Sequence, residues 1–222
     1  MRLAMSMIEL VISIVVMGIV VMSLPLILTQ VQNNNAFALQ QEAILAAKTK
    51  IGNILTHEWD ETTYAASAGR SFVLDTAGDG ELNRVGTSTQ RVGHVDADYR
   101  RKLFPNTTNA TNIATHGTSD IDMFHNQNVT LSVAPIGEGA GALSYIFNLR
   151  LDPSIVYVSD TATYSNDPLN FTFGVNAAGG TTNIKRIAVQ VRDTDANALI
   201  TTLRAFTCNI GESPSLPSRP YQ

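Results

Sequence analysis

The acidic turn Asp75-Thr76-Ala77-Gly78-Asp79-Gly80-Glu81-Leu82-Asn83 is the stretch of this chain best suited to holding an ion. A calcium loop of the EF-hand kind needs oxygen ligands at alternate positions and a glycine at its sharp turn, which makes Asp75, Asp79 and Glu81 the candidate metal ligands. The pattern is incomplete, because Ala77 and Gly86 stand at the third and twelfth loop positions, where oxygens belong. A plain Asp-Gly turn after a strand through Phe72-Val73-Leu74 accounts for the same residues. Two further mixtures of imidazole and carboxylate occur, His94-Val95-Asp96-Ala97-Asp98 and His116 with Asp120, Asp122 and His125. Neither has the His-x-x-x-His spacing of a helical zinc site, and in so polar a region both read as solvated surface.

Patterns associated with catalysis fail on their context. Gly137-Glu138-Gly139-Ala140-Gly141-Ala142 fits G-x-G-x-x-A, but a strand pattern rather than a helix follows it, and Glu138 would repel a pyrophosphate. Ala65-Ala66-Ser67-Ala68-Gly69 echoes a nucleophile elbow without the preceding strand that would raise its serine. Asn106, Asn109, Asn128 and Asn170 each open an N-x-T triplet, as chance allows in a Thr-rich sequence. No catalytic residue and no enzymatic activity are expected. The net charge of -4 and a basic run no longer than Arg100-Arg101-Lys102 make no nucleic-acid surface evident. Cys208, the single cysteine, excludes an intrachain disulfide and a cysteine zinc cluster, and is expected to pack as a small apolar residue.

One carboxylate sits where a carboxylate is costly. Residues 10–28 read LVISIVVMGIVVMSLPLIL, about the twenty apolar residues that a helix needs to cross a bilayer core. Glu9 lies just ahead of them, between Met7-Ile8 and Leu10-Val11, where an intramembrane charge costs roughly 2.5–3.5 kcal/mol. A carboxylate close enough to the end of the span to reach the headgroups is one account of it. A secretory signal peptide has Arg2 and the small-x-small site Ala36-Phe37-Ala38 in its favour. Against it, the apolar run exceeds an h-region of roughly 7–15 residues, and the site lies beyond the polar stretch 29–35.

The stretch Ala4-Met5-Ser6-Met7-Ile8-Glu9-Leu10-Val11-Ile12 resembles the processing site of type IV prepilins and type II secretion pseudopilins. The resemblance implies a cut between Ala4 and Met5 by a prepilin peptidase, N-methylation of Met5, and a role for Glu9 as the glutamate at the fifth place of the mature chain. Ala4 stands where the family usually has Gly, and Met5 where it usually has Phe. A free amine at the tip of a lipid-embedded helix needs a counter-ion, and a carboxylate one turn along can neutralise it on its own or a neighbouring chain, which would give Glu9 the task of setting register. Also implied are other pilin or pseudopilin subunits and an inner-membrane assembly platform as partners beside the lipid bilayer. The implied place is the bacterial inner membrane, crossed once, with the head in the periplasm and, after assembly, in a filament or at the cell surface. Within the family, a large head without the usual cysteine pair is similar to minor pilins and pseudopilins. Calcium-stabilised loops in pseudopilin heads make a structural Ca2+ at Asp75, Asp79 and Glu81 the one ligand the sequence suggests. The alternative is a signal-anchored envelope binding or hydrolytic domain unrelated to filaments.

The elements that would position these residues follow from periodicity. At 222 residues the length suits one sizeable domain with an appendage. Ala36, Gln40, Ala43, Ala47, Ile51 and Ile54 recur at steps of three and four, with Leu39, Ile44 and Leu55 widening the stripe, so the spacing predicts one helix to about Trp59. Pro25 and Asn33-Asn34-Asn35 are weak places in it. From Thr62 onward the period changes to two, with strand candidates at 71–74, 129–133, 143–149, 155–158, 169–175, 184–191 and 199–208. Asp193-Thr194-Asp195-Ala196-Asn197 is a turn that returns the last strand antiparallel. The expected fold is α+β and pilin-like, with a long N-terminal α-helix, its first half transmembrane and its second half packed on an antiparallel β-sheet head. The expected division is a leader at 1–4, a transmembrane or filament-core helix at 5–28, its amphipathic continuation at 29–60, and a β-rich head with an extended tail at 61–222.

Overall fold

Residues 7–31 are mostly apolar, with one carboxylate and no basic group, and they form the first half of a single helix, α1, Met7–Ile54. The computed structural model describes residues 6–65, 70–78, 83–84, 108–115, 117–133, 147–159, 168, 170, 172 and 174–210. The Ser6 carbonyl opens the helix by accepting the Glu9 and Leu10 N–H groups at 3.0 and 3.1 Å. At 1.5 Å per residue its 48 residues extend about 72 Å. The helix continues through Pro25 and through Asn33-Asn34-Asn35. Hydroxyls inside it fold back onto the backbone: Ser13 Oγ donates to Glu9 O, Ser23 Oγ to Val20 O and Thr29 Oγ1 to Pro25 O, at 2.7–2.9 Å.

Two units divide the chain, Met1–Ala43 and Ile44–Gln222. In the first, every described residue from 6 to 38 is exposed. In the second, Ala46, Ala47, Ile51 and Ile54 are buried, whereas Ile44 and Leu55 are exposed. The apolar stripe is therefore narrower than its sequence suggests. The helix ends at Ile54, five residues before the expected Trp59, in a tightened turn. There the Thr56 N–H donates to Asn53 O and the His57 N–H to Ile54 O, while Thr56 Oγ1 also reaches Asn53 O at 2.6 Å.

The head is built on a four-stranded antiparallel sheet in the order β3-β4-β5-β6: β3 Val129–Val133, β4 Phe147–Val158, β5 Ile184–Asp193 and β6 Leu199–Cys208. A two-residue pair, β1 Tyr64–Ala65 with β2 Arg70–Ser71, stands apart. One long helix and a four-stranded antiparallel sheet are compatible with an α+β layout. β3 and β6 have the expected bounds, and the β5–β6 turn is where the Asx residues place it. Asp193 Oδ1 accepts the Asp195 and Ala196 N–H groups, and Asn197 takes φ 50°, which asparagine tolerates.

β4 corrects the sequence reading, which broke it into 143–149 and 155–158 around Pro153. The last β3–β4 pair is Val129 with Leu151, so Pro153 lies past the end of β3. On that side Pro153 O accepts the Asn126 N–H at 3.0 Å and the Ile155 N–H donates to His125 Nδ1 at 3.1 Å. The missing proline N–H therefore faces a side with no strand to receive it, and β4 runs through. The expected strand at 169–175 is not found at the described residues 170, 172, 174 and 175.

Alternate residues fix the core. Leu149, Leu151, Pro153, Ile155 and Tyr157 on β4 are buried, as are Lys185, Ile187, Val189 and Val191 on β5. Register pairs them across one face, from Leu151 with Val191 to Tyr157 with Lys185. The opposite face carries half-buried Arg150, Asp152, Gln190 and Arg192. There Asp152 accepts Arg150 Nε at 2.9 Å.

Candidate functional site

The apolar face of the sheet ends in a charge. Lys185 has the parity of Ile187, Val189 and Val191, so its side chain enters the interior, where none of it is exposed. Tyr157, its partner on β4, places a ring 4.9 Å from the Nζ. Trp59, five residues past the end of α1, lays its ring 4.4 Å from the same nitrogen and meets Tyr157 edge-on at 6.0 Å. Cation–π contacts of this kind count for most where water is excluded.

Carboxylates reach the ammonium from two segments remote in sequence. The chain following α1 pairs with 120–121: Glu58 and Asp120 form a parallel bridge, and the Ile121 N–H donates to Glu58 O at 2.9 Å. Asp120 caps the short turn Ile121–Phe124, its side chain accepting the Met123 N–H, and that turn carries Asp122 inward. Asp122 Oδ2 and the Trp59 carbonyl each accept Lys185 Nζ at 2.7 Å. Phe124 completes the turn, with Lys50 Nζ of α1 4.7 Å above its ring and His57 edge-on at 4.8 Å.

Asp60, Asp120 and Asp122 are all buried and bring one carboxylate oxygen each within 4.8 Å of the others. Their hydrogen bonding differs. Asp60 accepts four donors, Thr62 N–H and Oγ1 on Oδ1 at 2.9 and 2.6 Å, and Thr111 N–H and Oγ1 on Oδ2 at 2.7 and 2.8 Å. Asp120 accepts one at each oxygen, Met123 N–H and Glu61 N–H, both at 3.3 Å. Asp122 Oδ1 is buried and has no hydrogen-bond partner among the described residues. Among the described residues, three clustered carboxylates with one ammonium at Asp122 leave two negative charges unbalanced. Burial pushes the Asp122 carboxyl up to about 6 against the pull of Lys185, with Asp120 and Asp60 adding to the rise. Burial raises the Tyr157 phenol as well, and all three carboxylates push it in the same direction. Its hydroxyl donates to Thr111 O at 2.7 Å.

The burial of Asp120 and Asp122 corrects their reading as solvated surface. They occupy the interior because the 121–124 turn is pinned between the segment after α1 and the sheet. His125, grouped with them in the sequence, turns aside to accept the Ile155 N–H. It lines a cleft of about 520 Å3 with Asn112, Tyr157 and Gly179. His116, His94, Asp96 and Asp98 lie outside the described residues. Of the calcium-loop candidates, Asp79 and Glu81 also lie outside them, and Asp75 is buried with both oxygens engaged by Arg84, Oδ2 taking Nε at 2.8 Å and Oδ1 the N–H at 3.3 Å. Cys208, expected to be buried, is exposed at the end of β6.

Sequence reasoning passed over Asp60 and Lys185. The signal for Lys185 is its parity with three buried β5 residues; Asp60 carries none beyond its place after Trp59. Ala4 and Met5 lie outside the described residues, while Glu9 stands exposed in the first turn of α1, on a helix apolar enough to cross a membrane. Compared with family models, with curated proteins and with solved structures, the chain finds no match in any of the three.

Proposed function

We propose that this chain is a structural subunit, a minor pilin or pseudopilin, of a type IV pilus-like or type II secretion filament, made with a short leader and assembled through α1. The observation that carries the reading is Glu9: between Met7 and Gln41 it is the only charged residue of a helix whose side chains are exposed throughout its apolar stretch. An anchor gains at most the helix-dipole attraction of a first-turn carboxylate, while an intramembrane charge costs up to roughly 2.5–3.5 kcal/mol, the figure for the centre of a span. A filament core gains register, because Glu9 can neutralise the amine that a cut after Ala4 would create on Met5. The head then faces outward to contact other subunits or partners, and the chemistry of the assembly belongs to the prepilin peptidase and the membrane platform.

Mass spectrometry of the protein extracted from membranes tests the processing step. The expected N-terminus is Met5, carrying one added methyl group. An intact Met1 terminus would favour a plain signal anchor, and a terminus at Leu39 a cleaved signal peptide; either overturns the proposal.

A further inference from the structure

We infer that Asp60, Asp120 and Asp122 form a site for a hard divalent cation, with Ca2+ the ion that fits it. The first observation is geometric. Calcium binds carboxylate oxygens at about 2.3–2.6 Å, so two oxygens on one ion stand no more than roughly 5 Å apart. One oxygen from each of the three aspartates meets that limit, within 4.8 Å of the others. The second observation is Asp122 Oδ1, wholly buried and without a hydrogen-bond partner among the described residues. Buried carboxylate oxygens are seldom left in that state unless an ion or a proton completes them.

Charge points the same way. Lys185 cannot neutralise the group, because its ammonium is committed to Asp122 Oδ2, to the Trp59 carbonyl and to the faces of Trp59 and Tyr157. The two negative charges that remain among the described residues match one divalent ion. The open lone pairs lie on Asp122 Oδ1 and on Asp120, whose oxygens hold one long hydrogen bond each. Asp60, with four donors on its two oxygens, contributes mainly charge. Oxygen-only ligands select calcium or magnesium over zinc or copper, and calcium, which does not demand near-ideal octahedral geometry, is the easier of the two to hold between fixed carboxylates.

Trp59 supplies the probe. It is the only tryptophan in the chain and adjoins Asp60, so terbium, a luminescent stand-in for calcium, bound at the cluster is sensitised through it. The full chain in detergent micelles is titrated with Tb3+, exciting the tryptophan. Saturable terbium emission is expected, displaced by Ca2+. Asp122→Asn and Asp120→Asn should each weaken binding at least about tenfold, the scale on which lost shell contacts act at metal sites. Asp75→Asn should leave the affinity unchanged. Ca2+ should raise the melting temperature of the wild-type chain above its value in chelator, a readout that does not depend on the variants folding. No sensitised emission, an unchanged melting temperature in Ca2+, or loss of binding in Asp75→Asn with retention in both cluster variants would each overturn the inference.

Discussion

Lys185 is held by contacts that must offset the several kcal/mol needed to strip an ammonium of water. A 2.7 Å bond to Asp122, another to the Trp59 carbonyl and two aromatic faces supply that compensation. Removing the ammonium alone leaves Asp122 unpaired in the interior, where it must either stay charged or take up a proton. Lys185→Met in chelator is therefore expected to cost about 3–5 kcal/mol, a fall in melting temperature of roughly 6–20 °C for a head of this size. The double variant Lys185→Met, Asp122→Leu should recover most of it, since an apolar pair of similar volume replaces a buried ion pair at little cost. Thermal melts of the three proteins decide it; a double variant no better than Lys185→Met would show that the charge pair is not the source of the loss. Parity on β5 is enough to foresee that Lys185 points inward. Its partners are not foreseeable, because they lie 63 and 126 residues away and no local rule couples such separations.

At the scale of elements, the long helix, two strands with their bounds, and the turn at 193–197 were legible. The reasons are local: uninterrupted apolar sequence, alternation between Val or Ile and polar residues, and Asx turn chemistry. Continuity of β4 was hidden because it depends on where β3 stops, a long-range fact. The width of the helical stripe was hidden likewise, since Ile44 and Leu55 have the right spacing and yet are only partly covered. That difference is measurable. Ile54, with no exposed surface, should cost about 2–5 kcal/mol on replacement by Ala. Ile44, 42% exposed, should cost no more than about 0.5 kcal/mol. Equal losses in denaturant melts would mean that the stripe is as wide as the sequence suggests.

At the scale of the molecule, one chain combines a helix segment exposed along its apolar length with a head whose core holds the inner face of its sheet, aromatic residues and buried charges. Such a helix needs an apolar environment that the described chain does not provide, either lipid or neighbouring helices. On the proposed reading it uses both in turn, lipid before assembly and subunits after, and Glu9 distinguishes the two. In lipid the carboxylate is a cost of up to roughly 2.5–3.5 kcal/mol, the figure for the centre of a span; in a filament it answers the Met5 amine, and breaking one such buried pair costs about 3–5 kcal/mol. The substitution Glu9→Ala thus acts with opposite signs on insertion and on assembly, which no plain anchor would show. Cells making wild type and Glu9→Ala together are separated into sheared filaments and membranes, and the ratio of the two proteins is measured in each fraction. The variant should stand at or above the wild-type level in membranes and be depleted from filaments. Equal ratios in the two fractions would contradict it.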